Sequence, residues 1–341
     1  LNANVSREKS WSAQPLAGIT ILSGDPVRQI GLFITLVVAT AALCAQPFPE
    51  PRAIRLNERV HVLLGPLQHA NPQNQGYMVN STLIIGDKGA ILVDPGGTAE
   101  VGRHIASAVR RITDKPVTHV VNTHYHGDHY LGNQAFDGAR IISSEVCRKM
   151  VRETGEEWLR LMERLIGRAL PETRPLPADI VYPEGAKAET FIHGVRLVFW
   201  VPRGSHTAGD LLLYLPDDKV LVAGDVLVNG VVPTFQDGFL KNWIRTLEEI
   251  QALEAAYFVP GHGDLMNAAQ VAELRAGIAR FYSGVKQGFR SGQNEEQIRR
   301  SLDLSMWDKL ERSYVIGRNV NRAYLEIEAD SFDEELPDER K

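Results

Sequence analysis

Thr123-His124-Tyr125-His126-Gly127-Asp128-His129 sets three imidazoles and a carboxylate within six residues. Uncompensated, such close donors would repel one another or waste desolvation energy, so the run reads as a metal site. The stretch before it, Val117 to Asn122, reads as a buried strand that delivers the cluster at its carboxyl end, where α/β folds gather their ligands. At a strand end, residues i and i+2 share a side, so His124 and His126 can reach one cation together. Gly127 lets the chain bend, which aims Asp128 and His129 at a second cation nearby.

Further ligands are expected from afar. His206 in Gly204-Ser205-His206-Thr207, Asp225 in Ala223-Gly224-Asp225 and His262 in Pro260-Gly261-His262-Gly263 each follow an apolar stretch and sit among small or turn-forming residues. The seven residues together supply five imidazoles and two carboxylates and no thiolate, a donor set that suits zinc and equally iron or manganese. His61, His69, His104, His119 and His193 lack this context and read as surface or structurally satisfied side chains. Asp94, between the strand Ile91-Leu92-Val93 and the turn Pro95-Gly96-Gly97, reads both as a turn former and as a partner that orients a ligand histidine from behind.

The order Asp94, His-x-His-x-Asp-His, His206, Asp225, His262 resembles the metallo-β-lactamase fold hydrolase superfamily, over about residues 55 to 265. The resemblance implies a four-layer αββα sandwich of the α/β class and a dinuclear site. His124, His126 and His206 would hold one metal, Asp128, His129 and His262 the other, and Asp225 would bridge them. The ligand types match those of glyoxalase II. The run through Leu131-Gly132-Asn133 and the Gly224-Asp225-Val226-Leu227-Val228 segment look most like exported members, including those named quinoprotein relay zinc hydrolases.

The composition is that of an ordinary globular protein, with 44% hydrophobic and 23% charged residues among 341. A net charge of −5 gives no basic footprint for nucleic acid, so a small-molecule substrate is expected. The apolar run Ile30 to Ala45 follows Arg28 and precedes the proline-rich 46–51, the pattern of a secretory signal. It is short for a membrane span, which needs about 20 residues. Expected, then, are a periplasmic or secreted protein with no stable span after cleavage, a leader and signal over 1–45, a catalytic domain over 46–265 and a C-terminal helical extension with an acidic tail over 266–341. Cys147 remains as a single thiol, read as a buried apolar side chain on a helix.

Apolar alternation predicts strands at Val60 to Leu64, Ser81 to Ile85, Ala90 to Val93 and around Arg140 to Ser143, and a helix at Ala99 to Ile112. A long amphipathic helix follows over about Ser144 to Arg168, whose Met150, Trp158, Leu161 and Leu165 read as packing. The second half gives a hairpin across His193-Gly194, a second across Pro216-Asp217-Asp218, a helix from Leu240 and a strand at Tyr257 to Pro260. Helices are then expected at Ala268 to Gln287, Asn294 to Leu302 and Val320 to Glu328, and the acids from Glu326 onward read as a solvated, frayed end.

Two divalent ions about 3.5–4 Å apart would share a water that is a hydroxide near neutral pH, able to attack a carbonyl without a serine or cysteine nucleophile. Asp128 is the candidate catalytic acid, placed to orient that hydroxide or to carry a proton to the leaving group. The expected activity is a zinc-dependent hydrolysis of an amide, ester or thioester. β-Lactam hydrolysis is one alternative, although β-lactamases with a cysteine ligand carry it where this chain has Asp225. Mononuclear iron persulfide dioxygenation is the other. Tyr125 and Tyr130 are expected at the opening of the site, with Asn229, Phe235, Gln236, Lys241 and Trp243 as candidate lining.

Overall fold

The computed structural model describes residues 48–335. The expected leader and signal, and the end of the acidic tail, lie outside the described residues. A seven-stranded sheet runs in sequence order: β1 (Arg52–Arg55), β2 (Val60–Leu64), β3 (Ser81–Ile85), β4 (Ala90–Val93), β5 (Val117–Val121), β6 (Arg140–Ser144) and β7 (Ile180–Tyr182). β1 to β4 are antiparallel neighbours, whereas β4 to β7 run parallel. Parallel neighbours need long crossovers, supplied by α1 (Ala99–Ile112) between β4 and β5 and by α3 (Glu145–Ile166) between β6 and β7. Between β5 and β6 the connection holds a four-residue helix, α2 (Gly127–Tyr130), inside the histidine cluster, and a single 3-10 turn at Asn133–Ala135.

The second sheet has five strands in the order β12-β11-β10-β9-β8: β8 (Lys187–Ile192), β9 (Val195–Trp200), β10 (Leu212–Leu215), β11 (Val220–Val222) and β12 (Tyr257–Val259). The β8–β9 turn has φ of 50° at His193 and 78° at Gly194, the left-handed pair a two-residue hairpin needs. β12 alone pairs parallel, with β11, after the crossover helix α4 (Leu240–Gln251). The chain ends in α5 (Ala268–Arg290), α6 (Glu295–Ser301) and α7 (Ile316–Glu335).

Alternate residues on each strand enter different cores, which is what stacks the layers. Ile84, Ile91, Val93 and Val121 of the first sheet meet Leu197, Phe199, Leu213 and Val222 of the second in a core between the sheets. Their neighbours Leu83, Leu92 and Val120 point outward onto Val101, Ile105 and Val109 of α1. On the far side Leu212, Leu221 and Phe258 pack against Leu240, Trp243 and Leu247 of α4 and Ile278, Phe281 and Val285 of α5. Helix, sheet, sheet, helix is therefore the layer order.

Two predicted features need correction. The acids Glu326 and Asp330 are not frayed but lie within α7. Glu326 accepts hydrogen bonds from the backbone N–H of Leu240 (2.8 Å) and Lys241 (3.0 Å), and Asp330 pairs with Lys241 Nζ at 2.9 Å. The chain also has β1 and β7, which no apolar alternation announced. Cys147 lies buried in α3, and burial pushes its thiol up to about 12.

Candidate metal centre

The ligand candidates converge at one end of the sandwich. His124 and the α2 residues follow β5, Asp225 sits in the turn Gly224–Val226 after β11, His262 follows β12, and His206 lies in the loop from β9 to β10. The parallel β11–β12 pairing puts the chain after Val222 beside the chain after Val259, so Asp225 and His262 arrive as neighbours. Gly261 permits that approach, since a Cβ there would overlap the Asp225 carboxylate. The Leu211 N–H donates to Thr123 O at 2.7 Å, and the Asn80 N–H to Gly261 O at 2.8 Å, tying the ligand loops across the two sheets.

Three groups of side chains could each hold a cation: His124, His126 and His206; His124, His129 and Asp225; and Asp128, His129 and His262, with ligand atoms in each group within 4.8 Å of one another. All seven predicted residues are in these groups, with Asp225 between the outer two. Its carboxylate is 3.4 Å from His129 Nε2, 3.5 Å from His262 Nε2 and 3.7 Å from His206 Nε2. Asp128 Oδ2 lies 3.2 Å from His262 Nε2 and 3.5 Å from His129 Nε2. The chain turns at Gly127 by entering a helix. This residue begins α2, and that helical turn separates Asp128 and His129 from His126.

The partners of each ring decide which nitrogen faces the cluster. The Asp94 carboxylate accepts from the Thr123 N–H (2.9 Å), the Thr123 hydroxyl (2.7 Å) and His129 Nδ1 (2.8 Å). It does so from a left-handed backbone, φ 53°, which a short polar side chain tolerates. Because the Thr123 hydroxyl has given its proton to Asp94, its oxygen accepts from His124 Nδ1 at 3.1 Å. His262 Nδ1 donates to Met78 O at 2.9 Å, and His126 Nε2 to Asp237 at 2.9 Å. Nε2 of His124, His129 and His262 and Nδ1 of His126 are thereby the nitrogens turned inward. His126 Nδ1 faces His206 Nε2 at 3.1 Å, so those two nitrogens must share one proton or one cation.

Several buried donor atoms are left without a hydrogen-bond partner among the described residues: His124 Nε2, His129 Nε2, His206 Nδ1 and Asp225 Oδ1. Buried polar atoms are nearly always paired, so four orphans on the proposed ligand residues fit side chains built around cations. Burial, helped by His129, His126 and His206, holds the His124 imidazole well below its usual value. Burial likewise pushes His206 down to about 3. Both rings are thus neutral bases. Burial would also lower His129, but the Asp128, Asp225 and Asp94 carboxylates outweigh it and push the ring up to about 10. The Asp210 carboxyl, raised to about 7 by burial, accepts from the Thr207 N–H and hydroxyl and braces the His206 loop.

The cluster opens into a cleft of about 310 Å³. Gln236 lines it as expected, but Phe235 and Trp243 are core residues, Lys241 is paired with Asp330, and Asn229 donates to Asp264 O. Tyr130 is fully buried and not at the opening, whereas Tyr125, mostly buried, lines an adjoining pocket with Trp158, Gln236 and Asp237. Trp158, Leu161 and Leu165 line the cleft as well as packing, and the Trp158 ring lies 4.7 Å from that of His126. Sequence reading missed Asp237 and Arg312, and it set His69 aside although His69 lines the cleft. His119 is remote, its Nδ1 held by Thr118 Oγ1, which also contacts His193.

A histidine- and aspartate-lined centre at the end of an αββα sandwich defines a class of metal-binding proteins. The family model for the metallo-beta-lactamase superfamily matches residues 74–262, and the chain belongs to that superfamily. It is 26% identical over 228 residues to a linear primary-alkylsulfatase of Pseudomonas sp., covering 56% of this chain and 42% of the relative. To a 2,4-dinitroanisole O-demethylase subunit beta of Nocardioides sp. it is 29% identical over 216 residues, 62% of each chain. It therefore spans less than two thirds of either relative. The solved structure of the stereoselective inverting sec-alkylsulfatase from Pseudomonas sp. shares the fold, with a TM-score of 0.61 at 18% identity, over 80% of this chain and 50% of that one.

Proposed function

We propose that the protein is an exported hydrolase of small ester-type substrates that works with two zinc ions. His124, His126 and His206 would hold one ion, Asp128, His129 and His262 the other, and Asp225 would contact both. The observation that carries this reading is the set of inward ring nitrogens, with His126, His129 and His262 each fixed by a partner on the far side of the ring, beside buried ligand atoms that have no hydrogen-bond partner among the described residues. When bound, the metals would polarise the scissile bond and supply a hydroxide at neutral pH. The protein's own part is to hold the rings in one tautomer, keep the cluster buried and place Asp128, at the cleft wall, to orient a water or pass a proton to the leaving oxygen.

Ester-type substrates are favoured by the likeness to a linear primary-alkylsulfatase, which is named for a sulfate ester. The complete Asp128, His129, His262 group argues against a single-iron oxygenase. Export rests on the apolar run at Ile30 to Ala45, and no helix among the described residues is long and apolar enough to cross a membrane. Elemental analysis with an ester, thioester, sulfate ester and β-lactam panel tests the reading. We expect His124→Ala and Asp225→Ala to lose bound metal and hydrolysis together, by at least about 100-fold in rate, and His119→Ala to change neither. Activity that survives in metal-depleted protein would refute it.

A further inference from the structure

Arg312 lies beyond the residues that the family model matches, yet it lines the cleft beside Asp128, Asp225 and His262. Its backbone is left-handed, φ 64° and ψ 27°, a conformation that costs a non-glycine residue about 1–2 kcal/mol. Glycine or asparagine would adopt it more easily, so a functional reason for arginine is to be sought in the side chain. The segment is firmly seated. The Glu311 N–H donates to Gly230 O at 3.0 Å, Glu311 O accepts from the Val232 N–H at 2.9 Å, and Val315 is buried in the outer core. Tyr314 stacks on His69, their rings 5.9 Å apart, next to it.

The Arg312 Nη2 is buried and has no hydrogen-bond partner among the described residues. Such an unpaired donor costs about 1–3 kcal/mol, more when charged. The carboxylates of the cleft do not relieve it, since Asp128 and Asp225 face His262, and Asp237 faces His126. Arg318, exposed on the same wall, adds a second positive charge. A guanidinium fork matches two oxygens of one carboxylate, sulfate or phosphate.

We propose that Arg312, aided by Arg318, seats an anionic group of the substrate, so that the preferred substrates are small esters with a negative charge close to the cleaved bond. This deepens the hydrolase reading and rests on it. In the reaction the water oxygen bonds to the acyl carbon, the acyl–oxygen bond breaks, and a water proton goes to the leaving oxygen, giving an acid and an alcohol.

The test compares 4-acetoxybenzoate with its uncharged methyl ester on metal-loaded protein of measured metal content. Arg312→Gln should raise KM for the anionic ester roughly 10- to 100-fold with little change in kcat or in the neutral ester's KM, and Arg312→Lys should recover part of the loss. Arg318→Gln should give a smaller shift of the same sign. Equal losses on both esters, or none, would overturn the proposal. If the unmutated protein cleaves neither ester, the hydrolase reading fails for this class, and the anion seat is judged by calorimetry with benzenesulfonate. Binding weakened at least about tenfold by Arg312→Gln sustains the seat, and equal binding removes it.

Discussion

A neutral imidazole has one lone pair to give, so a ligand histidine is set by whatever claims its other nitrogen. Asp94 does this for His129 directly and for His124 through the Thr123 hydroxyl, so one buried carboxylate orients a ring in each of the outer groups. Asp94→Asn replaces one acceptor oxygen by a donor facing these contacts. The expected result is metal bound roughly 10- to 100-fold more weakly, measured by chelator competition, with the fold intact by circular dichroism; unchanged affinity would remove Asp94 from this role. The ligands were legible in sequence because they cluster, or stand among glycines after apolar runs, and Asp94 was legible from its place after a strand. Asp237, Met78 O and Arg312 were not, because each reaches the site from a distant segment without a local pattern. Trp158 sits at helical spacing with its packing neighbours, so periodicity could not show that its ring also meets His126.

The start of α4 shows how one element completes another. Its first N–H groups need acceptors, and Phe239 at the cap has no side chain that can accept. Glu326 of α7 supplies both oxygens, 86 residues from Leu240. Glu326→Ala should therefore cost about 1–2 kcal/mol, read as a lower urea midpoint without loss of bound metal; an unchanged midpoint would make the cap incidental. No rule of local sequence pairs an acid in one helix with the start of another, which is why this run read as a frayed end. β2, β3 and β4 were legible because half of each faces the inter-sheet core and half faces α1. β1, with Arg52 and Arg55 exposed at a sheet edge, and β7, three half-buried residues long, carry too little apolar signal to be read.

At the scale of the whole molecule the outer face of the second sheet belongs to the C-terminal helices as much as to α4. Val271, Ile278, Phe281, Ile298, Trp307, Val320 and Ile327 share one core with Leu221, Trp243 and Phe258. A chain ended at Leu265 would uncover the part of that face that α4 does not cover and lose Arg312, so it should bind a hydrophobic dye and lose cooperative unfolding. A truncated protein that unfolds in one sharp transition with its metal content preserved would contradict this. The helical character of the segment was evident from its periodicity, but shared packing over such distances leaves no periodic trace. The parallel pairing of β11 with β12 has a further consequence. Asp225 and His262 become adjacent only once the α4 crossover has closed, so a half-made chain offers cations a histidine cluster but not the finished cage. Any cation would thus meet all seven side chains together only after the second half of the domain has closed onto the first.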